Sequence, residues 1–314
     1  MDKHTVKPVL KVFLASSAII IAMSACKKKA DTTASTPAVS SYTSINDFYT
    51  ANAPKSQTFK IDAVNGGSFT TVQGTKVTVA PGSFLATGNV NIEFEDIYKK
   101  SDMLLAQMPV MIGKGAPLVS AGEFFIKASQ DSNALGLAPG GSIKVEQPAG
   151  GKIDSNMKPF VFAQNVSGGN GWVPTFQDSL RYTTSYVFSL YTFSTPVGKG
   201  TWCNSDNSTY FSGYTQTTLN ILPDFVDSSN NMQVFLVFKG INSMVHIYDN
   251  GNSQYPYSYA PVGLPCTIVA VGVQHGKLYS SFTDITISAN QTVNITTAVT
   301  TADDFKTKLK ALDN

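Results

Sequence analysis

The chain has 314 residues, of which 42% are hydrophobic, 11% are aromatic and 14% are charged, with a formal net charge of +2. This length allows two or three domains, and the aromatic content excludes a wholly disordered chain. Three cysteines are too few for a disulfide scaffold, and the near-neutral charge argues against a nucleic-acid binder. The low charged fraction and the abundance of Thr, Ser, Val, Phe and Tyr predict an all-β protein.

The first 25 residues have the pattern of an export signal. Lysines at positions 3, 7 and 11 come before or at the start of an apolar run over residues 12–25, which is too short to span a bilayer comfortably. The run ends in Met23-Ser24-Ala25-Cys26, which resembles the lipobox of bacterial lipoproteins. In that family the signal is cut before the cysteine, which then carries a diacylglycerol thioether and an acylated amine. The resemblance therefore implies that Cys26 is lipidated.

Two other interpretations of this segment stay open. One is an ordinary signal peptide cut after a small residue, with Cys26 incidental, and the other is an uncleaved anchor.

Removal of residues 1–25 leaves 20 basic and 20 acidic side chains, with lysines at positions 27–29 placed to meet anionic headgroups. Lys27 rather than an aspartate follows the cysteine, so the resemblance implies the outer membrane, on its periplasmic or its outer surface.

Residues 26–44 are predicted to be the lipidated cysteine and a flexible tether, because residues 30–44 (ADTTASTPAVSSYTS) have no hydrophobic period. Residues 45–51 predict a short helix. A second helix is predicted at the C-terminus, where Thr301 can act as N-cap. Acidic side chains follow Thr301 in the first turn, and Phe305, Leu309 and Leu312 recur at helical spacing.

Between these helices the hydrophobic period is two, which predicts β-strands. The predicted strands cover residues 76–79, 89–95, 123–128, 142–146, 160–162, 186–191, 217–222, 233–238, 245–248, 267–273, 277–282, 285–287 and 292–295. The runs 234–238 and 268–271 are continuously apolar, which predicts central strands buried on both faces. The turn Gln274-His275-Gly276 predicts a hairpin. Short strands at this spacing predict two or more β-sandwich modules of Ig-like or ZU5-like type.

Residues 74–84 (GTKVTVAPGSF), followed by residues 88–92 (GNVNI), resemble the opening of a ZU5-like β-domain, with a strand, a Pro-Gly turn and a second strand. Across residues 60–314, the order of several motifs resembles a group of uncharacterised envelope lipoproteins from Gram-negative bacteria. The motifs are residues 96–103, 113–128, 202–206, 234–238 and 302–306. The resemblance implies β-rich architecture and an envelope location, and no activity comes with it.

We therefore divide the chain into five segments. They are a signal peptide (1–25), a lipidated tether (26–44), a ZU5-like β-domain (45–150), a β-rich middle section (151–200) and a C-terminal β-sandwich with a terminal helix (201–314).

Candidate catalytic groups are few, and we predict no catalytic residue, no metal site and no cofactor. His246 is predicted on a strand and His275 at a hairpin tip, and the motifs of zinc proteases, P-loops and nucleophile elbows do not occur. Glu93 and Glu95 point the same way at a separation approaching that of inverting glycosidases, but alternating polar residues on a solvated strand produce the same pattern.

Two groups of residues are candidate features of the exported part. Cys203 and Cys266 could form a disulfide, which would stabilise the fold by roughly 4 kcal/mol, or they could be two separate buried thiols. A tyrosine cluster, Tyr255, Tyr257 and Tyr259, could stack on sugar rings or contact a partner, or it could pack against a sheet.

Together these features predict a lipid-anchored cell-envelope protein with a non-enzymatic binding or structural role. Its expected partners are the membrane, through the N-terminal lipid, and an envelope protein or glycan, but not nucleic acid. One alternative is a glycan-binding accessory lipoprotein, which rests on the tyrosine cluster and on Trp172 or Trp202. A second is a secreted hydrolase with dispersed carboxylates.

Overall fold

The computed structural model describes residues 41–151, 153–166, 169–175, 179–182, 185–191, 197–225 and 231–314. The predicted signal peptide, Cys26 and residues 26–40 of the predicted tether lie outside the described residues. The described residues all belong to one compact unit. Among the described residues, no helix is long and apolar enough to cross a bilayer.

Both predicted helices are present, and a third was not predicted. Helix α1 spans Ile45–Asn52, and Ser44 and Asp47 cap it reciprocally through a capping box. Helix α2 spans Lys100–Leu105. Helix α3 spans Ala302–Lys310, where the Thr301 hydroxyl accepts a hydrogen bond from a backbone N–H of the first turn. Short 3₁₀ turns cover Val197–Lys199, Tyr210–Gly213 and Ala311–Asp313.

The described residues form twenty strands, so the fold is all-β apart from these helices. In chain order they are β1 (Gln57–Asp62), β2 (Gly67–Thr70), β3 (Lys76–Val79), β4 (Asn89–Ile97), β5 (Val119–Gln130), β6 (Asn133–Ala134), β7 (Ser142–Pro148), β8 (Lys158–Val166), β9 (Gly169–Pro174), β10 (Ser179–Tyr182), β11 (Ser185–Tyr191), β12 (Thr201–Asn207), β13 (Gln216–Pro223), β14 (Met232–Phe238), β15 (Met244–Ile247), β16 (Tyr255–Pro261), β17 (Pro265–Gln274), β18 (Lys277–Thr286), β19 (Thr292–Ile295) and β20 (Ala298–Thr300).

These strands form four sheets. Sheet I has the order β1-β4-β5-β12-β8-β9, with β6 beside β5, and sheet II has the order β10-β11-β7-β3-β2. Sheet III has the order β16-β13-β19, and sheet IV has the order β15-β14-β17-β18-β20. Strand β12, which follows the predicted boundary at residue 200, pairs with β5 and β8 of sheet I. Sheet I therefore draws on residues from both sides of that predicted boundary.

Three hydrophobic cores hold the sheets together. The first core lies between sheets I and II and contains Phe94, Phe124 and Phe188. The second core lies between sheets III and IV and includes Leu219 and Ile268. Both sandwiches contribute to a third, middle core. Sheet I and sheet IV each contribute the face that turns away from their own sandwich core, and all three helices add side chains. This shared core joins the two sandwiches.

The alternation of side chains explains the middle core. Along β17, Ile268 and Ala270 belong to the second core, whereas Val269, Val271 and Val273 belong to the middle core. Strand β14 is shared in the same way, so the prediction of central strands buried on both faces is confirmed. The predicted hairpin is confirmed as well, because His275 and Gly276 both have positive φ between paired β17 and β18.

Candidate functional site

A cleft of about 530 Å³ opens where the two sandwiches meet. Its walls come from the segment between β4 and α2, the beginning of β5, the end of β7, the turn after β14 and the C-terminal residues. Lys99, Ser120, Asn242 and Asp313 are among the lining residues. The cleft thus offers cationic, anionic, hydroxyl and amide groups to a ligand, set among apolar residues such as Pro148 and Ile241.

Hydrogen bonds between the sandwiches fix the walls of this cleft. The Asn242 amide donates to the carbonyls of Tyr98 and Ser120, at 3.3 and 2.9 Å, and the Ser120 N–H donates back to the Asn242 carbonyl at 2.9 Å. The buried Lys100 ammonium donates to the Phe238 carbonyl at 2.9 Å, and burial lowers the pKa of Lys100. These contacts tie β5 and α2 to the β14–β15 turn.

A buried polar network lies next to the cleft inside the first sandwich. The Thr71 hydroxyl donates to Asp96 at 2.6 Å, and Thr75 bonds both Asp96 and the Tyr98 hydroxyl. Desolvation raises the pKa of Tyr98 well above its ordinary value. The phenol therefore stays neutral at physiological pH and serves as a hydrogen-bonding group at the edge of the cleft.

Strand β12 carries this polar network into the centre of sheet I. The Ser205 hydroxyl donates to Gln147 Oε1 at 2.8 Å, and Gln147 Nε2 donates to the Gly122 carbonyl at 2.7 Å. On the opposite face of the sheet, the Ser120 hydroxyl donates to Asn204 Oδ1 at 2.7 Å. Neighbouring residues of β12 thus satisfy polar groups on both faces of one sheet.

Two fully buried carboxylates, Glu123 and Asp206, lie on the middle-core face of sheet I. Asn204 is opposite Glu123 in the pairing of β12 with β5, and its amide lies 3.4 Å from Glu123 Oε1. Burial raises the pKa of both carboxyls well above their usual range, and the charge of Asp206 raises that of Glu123 further. Asp206 lies two residues beyond Asn204 on β12, so the register places it diagonally across from Glu123 on the same face of the sheet.

A β-bulge accounts for the meeting of these side chains. Asn204 pairs with Glu123, but Asp206 pairs with Ser120, so β5 has one residue more than β12 at this point. Gly122 occupies the bulge with a φ of +139°, and a Cβ there would collide with the ring of Tyr98. The glycine is required both by this backbone conformation and by the close approach of Tyr98.

The enclosed position of the pair bears on the hydrolase alternative. A glycosidase needs two carboxyl groups that flank a bond of the substrate, one of them often with a raised pKa. Glu123 and Asp206 are both wholly shielded from solvent, and neither is among the lining residues of the cleft. In this conformation the pair does not face a space that could receive a sugar.

His246 lies in a second cluster of titratable groups, on the outer part of the middle core. Its ring stacks on Phe235 with centroids 4.9 Å apart and lies 4.4 Å from Tyr248, over which the Lys114 ammonium is placed at 4.7 Å. Desolvation, followed by the charge of Lys114, lowers the pKa of His246 to about 4. The imidazole is therefore neutral at physiological pH and packs as an aromatic ring.

The tyrosine cluster is divided between core and surface. Tyr255 and Tyr257 are buried in the second core, and the Tyr257 hydroxyl donates to the Gly115 carbonyl at 3.1 Å. A register shift between β13 and β16 turns Tyr259 outward, where 44% of its surface is exposed. Packing against a sheet, the alternative left open by the sequence, thus describes Tyr255 and Tyr257. The three rings do not form a common stacking surface.

The tryptophans are also engaged in packing. Trp172 is fully buried, and its indole N–H donates to the Pro109 carbonyl at 2.9 Å. Trp202 packs against the middle core and lies 5.6 Å from the ring of Phe125. Trp172 is therefore not available for stacking on a sugar.

The two core cysteines lie in different cores. Cys203 belongs to the first core and Cys266 to the second, and no disulfide joins these two described residues. Burial raises the pKa of Cys266 to about 12, so this thiol is protonated at physiological pH. The predicted lipidation site, Cys26, lies outside the described residues.

The remaining acidic candidates behave as strand residues on the face of β4 that turns away from the first core. Glu93 is 41% exposed and lies 3.9 Å from the Lys127 ammonium. Glu95 accepts a hydrogen bond from Ser56 at 3.2 Å, and burial raises the pKa of its carboxyl.

No protein-family model matches the chain, and a search of curated proteins returns no match.

Proposed function

We propose that the protein is a lipid-anchored component of the cell envelope with a non-enzymatic binding or structural role. The observation that carries the proposal is Met23-Ser24-Ala25-Cys26 at the end of a short apolar run with lysines at its start. Acyl chains on Cys26 would each add about 0.8 kcal/mol of membrane affinity per buried CH₂ group, so more than one chain gives a stable anchor.

The described residues support a rigid body attached to such an anchor. The predicted tether leads into α1, whose side chains Ile45, Phe48 and Tyr49 are buried in the middle core. The ring of Phe48 lies 5.5 Å from that of Phe305 in α3. The anchored end of the chain is thereby fixed to the core that joins both sandwiches, and the body would move as one piece beneath or above the membrane.

The cleft at the junction is the feature that best fits a binding role. Its volume of about 530 Å³ falls within the range of about 300–1,000 Å³ common for ligand sites. Its walls are held by hydrogen bonds from both sandwiches, so the polar groups in it are already positioned before a ligand arrives.

The anchor is tested by replacing Cys26 with serine in the full chain and feeding cells an alkyne analogue of palmitate. We expect Cys26→Ser to remove the label and to release the protein from the membrane fraction, because serine cannot form the thioether. A Cys266→Ala variant, which also lacks one cysteine, should keep both the label and the membrane association. Persistent labelling of Cys26→Ser would refute the proposal.

A further inference from the structure

Three of the four carboxylate oxygens of Glu123 and Asp206 are buried without a hydrogen-bond partner. They are Oε2 of Glu123 and both oxygens of Asp206. The Ser243 hydroxyl is buried and unsatisfied as well, and it follows Asn242, the residue that bonds Ser120 across the junction. Buried polar groups in folded proteins nearly always have partners, so a group of orphaned oxygens in one region requires an explanation.

In the part of the chain that the structure describes, no side chain supplies the missing positive charge. Among the described residues, neither carboxylate forms an ion pair with a lysine or arginine. Lys158 is opposite Asp206 in the pairing of β12 with β8, but its side chain is exposed. Two enclosed carboxylates without a counter-charge are strongly unfavourable unless a proton or a cation neutralises them.

We propose that Glu123 and Asp206 bind a Ca²⁺ ion on the middle-core face of sheet I, with the Asn204 amide and the Ser120 hydroxyl as neighbouring oxygen donors. The charge of the ion equals that of the two carboxylates. Asn204 Oδ1 already accepts one hydrogen bond, from Ser120, and has a second lone pair for a metal. Pairing across the bulge brings Ser120, Glu123, Asn204 and Asp206 to one face of the sheet.

The chemistry of the donors selects the cation. The named donors, Glu123, Asp206, Asn204 and Ser120, offer carboxylate, amide and hydroxyl oxygens. Oxygen donors suit Ca²⁺ and Mg²⁺ rather than zinc or copper. Mg²⁺ usually keeps several of its waters, whereas Ca²⁺ accepts an irregular shell of carboxylate, amide and carbonyl oxygens. An enclosed site therefore favours Ca²⁺.

The position of the ion gives it a structural role. It would join β5 to β12 beside the bulge, on the face of sheet I that meets the second sandwich. Ser120 belongs both to this cluster and to the wall of the cleft. Bound Ca²⁺ would consequently stiffen one wall of the cleft, and this role does not depend on whether Cys26 is lipidated.

The full chain, extracted in detergent if it is lipidated, is treated with EDTA, dialysed and titrated with CaCl₂. We expect about one Ca²⁺ per chain by elemental analysis. We also expect Tm to rise by about 5 °C when Ca²⁺ is at a hundredfold excess over Kd. MgCl₂ at the same concentration should raise Tm by less. Absence of bound Ca²⁺, or an equal response to Mg²⁺, would overturn the proposal.

Variants locate the site. The double variant Glu123→Gln/Asp206→Asn keeps the shape of both side chains and removes both charges, so it should bind no Ca²⁺ and its Tm should not respond to Ca²⁺ or EDTA. The matched control Glu93→Gln/Asp303→Asn removes two exposed carboxylates, of which Asp303 is 93% exposed, and should behave as the wild type.

Two further results with the variants test the assignment of the Ca²⁺ site. Unchanged Ca²⁺ binding by the double variant would place the ion elsewhere and contradict the assignment. Where the double variant does not fold, the single variant Glu123→Gln replaces it. The stoichiometry and the EDTA response of the wild type still decide whether a Ca²⁺ site exists.

Discussion

Strands β12 and β17 are both central in their sheets and almost wholly buried, yet their side chains are opposite in character. From Cys266 to Val273, β17 has only buried residues, and most of them are aliphatic. In β12 the buried residues include Asn204, Ser205 and Asp206. The difference separates two ways of occupying the inside of a protein, by removal of apolar surface from water and by mutual satisfaction of polar groups.

The two strands therefore differ in which substitutions they tolerate. A strand such as β17 contributes to stability through burial and tolerates hydrophobic side chains of similar volume. A polar strand such as β12 is costly to bury, and each of its groups needs a specific partner. We expect such a strand where its polar groups hold other groups in place. Strand β12 supplies Asp206 of the carboxylate pair, and its Asn204 accepts a hydrogen bond from Ser120 in the wall of the cleft.

The largest expected effect is in β17. Replacing Ile268, which is fully buried in the second core, with alanine should lower the free energy of unfolding by about 2–5 kcal/mol, because it removes apolar contacts and leaves a cavity. Urea denaturation followed by circular dichroism measures the change. Lys277→Ala, at an exposed position of the adjacent strand, should alter stability by no more than about 0.5 kcal/mol. A loss below 1 kcal/mol for Ile268→Ala would contradict the role assigned to β17.

The edge strand β15 of the same sheet carries a titratable group, His246, and its effect on stability depends on pH. The pKa of His246 is about 4 in the folded protein, below its unfolded value of about 6.5. The unfolded chain therefore takes up a proton first as the pH falls, and the folded state loses stability between about pH 6.5 and pH 4. Above that window the histidine has no such effect.

His246→Phe should abolish this part of the acid sensitivity while keeping a ring against Phe235. We expect the difference in unfolding free energy between wild type and variant to change by about 2 kcal/mol between pH 7 and pH 4.5. Thermal unfolding of both proteins over this range tests the prediction. Parallel pH profiles for the two proteins would show that the imidazole is accessible to protons in the folded state.

The smallest expected effect is in β12. Ser205→Ala should cost about 1 kcal/mol, since it leaves the buried Gln147 Oε1 without the hydroxyl that donates to it at 2.8 Å. Ser288→Ala, at an exposed site, serves as the control and should leave the unfolding midpoint in urea unchanged. If Ser205→Ala proves neutral, the network around β12 is looser than its hydrogen bonds indicate.

The contrast between β12 and β17 also explains which parts of the fold the sequence could predict. The apolar run in β17, the capped helices α1 and α3, and the hairpin at His275 have local signals that their surroundings reinforce. Strand β12 was named only as part of a family resemblance, because Thr201–Asn207 shows neither alternation nor an apolar run. Its burial depends on partners in β5 and β7, far away in the sequence.

Strands β1, β2, β6, β9, β10 and β20 were not predicted either. Two further elements, β16 and α2, escaped prediction for local reasons. Strand β16 contains Pro256 and Pro261, which argue against a strand, but it lies at the edge of sheet III, where proline is tolerated. Helix α2 has six residues, too few for a helical period to emerge, and its N-cap Lys99 makes no side-chain cap. Both elements are determined by tertiary packing.

The carboxylate pair of Glu123 and Asp206 was the least predictable feature. Glu123 opens a segment that reads as an amphipathic strand, and Asp206 is distant from it in sequence, so no motif connects the two. A bulge at Gly122 brings them together. A glycine next to a strand pattern can indicate a bulge, but it does not indicate which distant strand the bulge faces. The sequence indicated only that Glu123 is an acidic residue directly before the apolar residues Phe124 and Phe125 of β5.

The attachment of α1 has a mechanical consequence. This eight-residue helix is held by the packing of Ile45, Phe48 and Tyr49 and by a hydrogen bond from the Ile45 N–H to Asn231. A pulling force on the N-terminal side of the body reaches α1 before any strand of the four sheets. Side-chain packing can be peeled away one residue at a time, whereas a hydrogen-bonded ladder under shear resists as a whole. Unravelling α1 would lengthen the connection by about 15 Å, since an extended residue spans roughly 3.4 Å against 1.5 Å in a helix. The helix would thus act as a yielding link that absorbs strain while both sandwiches keep their shape.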